Sequence, residues 1–132
     1  MNDIIIKILF VLLGGSIGAL SRFLLSGFIY EKYYSSFPIG TLIVNLIAVF
    51  ILGLFWGFIQ YYNTSSNLNI FIIIGFLGGF STYASYIIET FQMFQDGQLF
   101  LPFLNIFLTN ILGFIFLFLG IFLSQIFINF IK

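Results

Sequence analysis

From Tyr33 to Ile131 the chain carries only two charged residues, Glu89 and Asp96. So long a run with so little charge cannot wrap a core and still present a wettable surface. Across the whole chain 6% of residues are charged and 61% hydrophobic, with a mean hydropathy of +1.20. A soluble domain carries about 25% charged residues. The solvent of this chain is therefore lipid. A membrane-crossing helix takes about 20 mostly apolar residues, and four segments are long enough: 4–29, 38–61, 68–94 and 99–131. The connections between them are short, at 30–37, 62–67 and 95–98, and the last holds the turn pair Asp96-Gly97. Short connections force antiparallel neighbours. The expected fold is an all-α membrane protein, one four-helix transmembrane domain over 1–132. The first segment lacks the charged start and small-residue cleavage site of a removable signal peptide, and is read as a retained helix.

Composition excludes several function classes. With neither Cys nor His there are no disulfides, zinc ligands, haem ligands or thiol or imidazole nucleophiles. Four bases against four acids leave no basic surface for nucleic acid. No nucleophile has a base beside it, so catalysis is not expected. The same charges fail to orient the chain. Lys7 and Lys132 fall on one side, Lys32 on the other, and the Lys/Arg bias that sets topology is almost nil. Insertion in both orientations, and pairing of two opposed copies as an antiparallel dual-topology dimer, is the expectation. Tyr30, Tyr33, Tyr34, Tyr61 and Tyr62 lie at segment ends, where an interfacial aromatic belt belongs. The 21 phenylalanines are expected to face lipid or fill gaps.

The third segment is the anomaly. Residues 75–89 contain the pair Gly78-Gly79, then Ser81, Thr82, Ser85 and Glu89. Two readings are open. Gly75 and Gly79 could form a small-xxx-small packing face, with the hydroxyls bonded to the preceding turn. Or the helix is broken, exposing carbonyls and helix ends as ion ligands. Other polar residues are embedded too. Arg22, beside Ser21, is either a snorkelling anchor or a functional charge. Thr41 and Asn45 share a face of the second helix, and Asn105 and Thr109 a face of the fourth, with Asn110 next to them. Interhelical hydrogen bonding is the plain alternative for Asn45. Gly14, Gly15, Gly18, Gly53, Gly57, Gly113 and Gly120 suggest close-packed faces. Taken together, the embedded set is rich in neutral donors. Such donors, with the electropositive edges of aromatic rings, suit a small polar or anionic solute crossing the membrane.

Three stretches resemble the CrcB/Fluc family of fluoride channels. Gly14-Gly15-Ser16-Ile17-Gly18-Ala19-Leu20-Ser21-Arg22 looks like its first-helix GGxxGAxxR pattern. Residues Pro38-Ile39-Gly40-Thr41-Leu42-Ile43-Val44-Asn45 look like its PxGTLxxN, and the stretch from Gly75 to Glu89 like its GxxGGxTTFSTFxxE. The resemblance implies passive fluoride export that relieves fluoride toxicity, at the cell inner (plasma) membrane. It further implies an antiparallel homodimer with two fluoride pathways and a structural Na⁺ at its centre. Asn45 would then be the pore asparagine. Tyr83 and Tyr86 would stand where the family has two pore phenylalanines, with Ala84 and Ser85 in the polar track between them. Glu89 and Arg22 would belong to the vestibule, and the carbonyls of Gly78 and Ser81 to the Na⁺. Thr41, Asn105, Thr109 and Asn110 complete the expected pathway. The chain departs from the family in both tyrosines, in Ala84 for the first track hydroxyl, and in Ser81 for a threonine. Two other readings compete. A small multidrug-type proton-coupled exporter has this size and topology, but needs an acid in its first helix, and 4–29 contains none. A non-conducting subunit, paired with a paralogue in a heterodimer, is the other.

Overall fold

The computed structural model describes residues 2–33, 35–62 and 64–132; Tyr34 of the expected aromatic belt and Asn63 of the expected middle loop lie outside them. Four long apolar helices are present, over Asp3–Lys32, Ile39–Tyr62, Ser66–Gln95 and Phe100–Ile131, and no strand occurs among the described residues. Helix α1 is Asn2–Lys32 and α2 is Ile39–Tyr62. The third span is composite. It starts as α3, Ser66–Asn69, and continues as a π-helical stretch, Ile70–Leu77, and one α-turn, α4, Gly78–Phe80. It resumes as α5, Tyr83–Gln95; the last span, α6, is Phe100–Ile131. The helices overrun the expected segment ends by up to a few residues, because Glu31, Lys32 and the terminal tyrosines sit at a water interface that a helix can enter without cost in hydrogen bonds.

The molecule packs as two pairs. α2 runs along α6, and α1 along the π stretch and α4. Both seams are built on missing side chains. A Cβ on Gly18 would run into the Phe76 carbonyl, and one on Gly79 would lie 2.6 Å from the Gly15 carbonyl. On the other seam, Gly53 faces Leu117 and Gly120 faces Phe50 in the same manner. Lipid gives helices no hydrophobic reason to associate, so close backbone approach is what holds such pairs. Gly113 differs from the expectation of packing: nothing lies within 4 Å of where its Cβ would be, because it borders a cleft.

Burial is inverted relative to a soluble bundle. Phe23, Phe107 and Phe118 are exposed, whereas Thr41, Thr90, Asn105 and Ser124 are buried. Among the described residues a small apolar cluster, Val44, Ala48, Leu77 and Phe80, forms the core. The turn from α5 to α6 follows the Asp-Gly signal. Gly97 has φ +76°, and its N–H donates to Phe94 O (3.1 Å) while Gln98 N–H donates to Met93 O (3.0 Å), the paired bonds of a glycine-terminated helix.

Candidate functional site: a staple across a broken helix and the clefts beside it

The third span breaks at Ser81 and Thr82, which are extended (ψ 157° and 103°). The glycine pair is not itself the break: Gly78 keeps helical angles, and Gly79 serves the approach to α1. The last bonds of the upper part are Ser81 N–H and Ser81 Oγ, both donating to Leu77 O at 2.9 Å. Beyond them the backbone needs other partners, since an unsatisfied group in hydrocarbon costs several kcal/mol. Asn45 supplies them. Its Oδ1 accepts from Thr82 N–H at 2.8 Å, and its Nδ2 donates to Thr82 O at 3.3 Å. Thr82 then caps α5: its Oγ1 accepts from Ser85 N–H (3.2 Å) and donates to Ser85 Oγ (2.8 Å).

Among the carbonyls that lose their helical donors at this break are those of Gly78 and Ser81. In an uninterrupted helix Gly78 O would receive Thr82 N–H, and Ser81 O would receive Ser85 N–H. Here Asn45 takes the first donor and the Thr82 hydroxyl takes the second. Among the described residues no three acids, His or Cys gather as a metal site. A hard monovalent cation does not need them, because backbone carbonyls are its usual partners.

Two clefts flank the break. One, of about 220 Å³, is lined by Asn45, Ser81, Tyr83, Tyr86, Thr109 and Asn110. The two tyrosine rings are 5.7 Å apart at 49°; Tyr83 is 75% exposed and Tyr86 only 7%. Two polar side chains that line the same cleft are engaged elsewhere. Thr109 donates to Asn105 Oδ1 (3.4 Å) and Asn110 donates back to Ile106 O (2.7 Å). The other cleft, 320 Å³, is lined by Arg22, Thr41, Thr82, Ser85 and Glu89, with Tyr30. There Thr41 Oγ1 donates to Glu89 Oε1 at 2.8 Å, and Tyr30 OH donates to the same oxygen at 3.2 Å.

The structure thus separates the expected pathway residues into two groups joined through Asn45 and Thr82. Asn105 joins neither cleft. It is 1% exposed and donates to Thr90 Oγ1 at 2.8 Å, which in turn donates to Tyr86 O at 2.6 Å. It fixes α6 to the turn that carries Tyr86. Three participants, Thr82, Thr90 and Tyr30, were not among the expected site residues. Thr90 gives no signal in sequence beyond being polar. Tyr30, expected in the aromatic belt, instead turns its hydroxyl inward; Arg22, Ser26 and Tyr30, one helical turn apart in succession, were the trace of that face.

Residues 9–121 match the family model described as CrcB-like protein, Camphor Resistance (CrcB). The chain is 44% identical over 127 residues to the fluoride-specific ion channel FluC of Pyrococcus horikoshii, covering 95% of this chain and 99% of that protein. It is 38% identical over 127 residues to the protein of the same name from Parabacteroides distasonis, covering 96% and 99%. With that of Aquifex aeolicus it shares 40% over 117 residues, covering 87% and 94%.

Proposed function

The chain belongs to the CrcB-like family, and we propose that it is a fluoride-specific channel, a multi-pass membrane protein that lets fluoride leave the cell passively across the plasma membrane. It is a transporter and no enzyme. The observation that carries the reading is likeness, over nearly the full length, to channels named for fluoride. The geometry supplies a fitting route. Fluoride holds its water tightly, and a path must offer close donors in exchange. Asn45 has two amide hydrogens and commits one to Thr82 O, so the other is free for an ion in the cleft. The Tyr83 and Tyr86 rings offer positive edges and hydroxyls beside it. On the other side of the break, Arg22, Thr41, Ser85 and Glu89 form the vestibule.

The working unit in this reading is an antiparallel homodimer. Na⁺ fits the released carbonyls of Gly78 and Ser81, which would hold it at the dimer centre. Bound there, it would compensate the carbonyl dipoles that the break leaves unpaired. Gly78 is exposed in the single chain, as a group shared across an interface would be.

Purified protein in liposomes loaded with fluoride or chloride tests the function. Fluoride efflux well above that of empty liposomes is expected, with chloride retained. Efflux no faster than from empty liposomes would remove the function, and equal chloride efflux would remove the selectivity. Topology has its own test. Ser66→Cys lies at the exposed start of the third span, and a membrane-impermeant thiol reagent should label it from either side of the membrane. Labelling from one side only would show a single orientation.

A further inference from the structure

The inner vestibule cleft has a neighbour. A second cleft of 230 Å³ lies toward the α1–α2 turn and the end of α5, bordered by Ser35, Phe37, Pro38, Gln92 and Asp96. Among the described residues only Tyr30 and Glu89 line both clefts. They form the partition between an outer and an inner space.

Tyr30 is seated there from two sides. Its ring lies against Gly40, where a Cβ would come within 2.6 Å of Cε2. Its hydroxyl donates to Glu89 Oε1 (3.2 Å) and accepts from Thr41 N–H (3.4 Å). The Thr41 hydroxyl donates to the same Oε1. Two O–H donors therefore converge on one carboxylate oxygen, while Oε2 is buried without a partner. A carboxylate in the way of an anion repels it, strongly where water is scarce. Donors on Oε1 offset part of that charge and keep the side chain from swinging across the opening.

We propose that Tyr30 is a positioning residue for the ion path: its phenol holds the Glu89 carboxylate, and the pair sets how readily an anion passes from the outer cleft to the inner one. The role presupposes fluoride conduction. It belongs to a residue of α1 whose place at a helix end suggests only an interfacial anchor.

The test is a double-mutant cycle in liposomes with Tyr30→Phe, Glu89→Gln and both together. Tyr30→Phe keeps the ring and should slow fluoride efflux on the order of tenfold, the lower end of the scale of one hydrogen bond to a charged group. Against Glu89→Gln, which has no charge to hold, the same change should make less than about a twofold difference, because coupled sites are not additive. Wild-type flux in Tyr30→Phe overturns the proposal, and so does a full additional loss in the double variant. A second readout does not need transport. The infrared carboxyl band that disappears in Glu89→Gln should shift in Tyr30→Phe; an unshifted band overturns the proposal. A wild-type protein that passes no fluoride would remove the functional reading instead, and the infrared arm would still report whether Tyr30 holds Glu89.

Discussion

Asn45→Asp is expected to cut fluoride efflux on the order of a hundredfold. The change keeps the acceptor for Thr82 N–H but removes the donor to Thr82 O, and with it the second N–H that faces the cleft. It also places a carboxylate inside a spanning helix, fewer than two turns from its start. An acid at the centre of such a helix costs about 2.5–3.5 kcal/mol and less nearer its end, and an anion in the same cleft would meet a like charge. Asn45→Ala separates the two consequences. It adds no charge, yet leaves both Thr82 backbone groups without partners, at about 1–3 kcal/mol each. Thermal unfolding in detergent should show Asn45→Ala clearly destabilised, with flux lost in both variants. Wild-type flux from either one would mean that the staple is not part of the pathway.

That staple also marks the limit of what the residues disclose by themselves. The four spans follow from composition, because an uncharged apolar run has few options in lipid. An interrupted third span is one of the two readings that glycine and hydroxyls allow where a bilayer helix avoids them. The place of the interruption is not legible. Gly78-Gly79 has the local weakness, but the helix runs through it, and the chain opens at Ser81 and Thr82. The deciding partner is the Asn45 amide, 37 residues away. A local pattern carries no record of it. The π-helical stretch Ile70–Leu77 is equally silent, since its wider bonding uses no distinctive residues.

Helical spacing says which residues share a face, and leaves open what that face meets. Asn105 and Thr109 do share one and are joined by a hydrogen bond. The face divides, however: Thr109 borders the cleft while Asn105 turns to Thr90. Tyr30 shows the converse. Its position at the end of α1 suits an interfacial ring, and its inward turn depends on Gly40 leaving room for that ring. Both outcomes are set by the neighbouring helix.

Tyr86→Ile is expected to reduce fluoride efflux at least about tenfold, and Tyr86→Phe to leave it near wild type. The two substitutions divide what the tyrosine offers. Phenylalanine keeps the ring edge, whose interaction is worth about 0.5–1.5 kcal/mol, and isoleucine removes both edge and hydroxyl. Tyr86 is the more telling of the pair. It is 7% exposed and held from behind by the Asn105–Thr90 chain on its carbonyl, whereas Tyr83 is 75% exposed in the single chain. The hydroxyls have no bond to Asn45, Thr109 or Asn110, whose own bonds go to Thr82, Asn105 and Ile106. They are therefore free to donate to an ion in the cleft, but the ring edges and the Asn45 amide already serve it, so flux does not hang on them. Tyr83→Phe, which keeps its ring edge at the cleft, also keeps its flux. The opposite result has a clear meaning. If wild-type protein is silent and Tyr86→Phe turns conduction on, the hydroxyl blocks the path. The chain would then be the non-conducting member of a pair, and a paralogue would carry the ion.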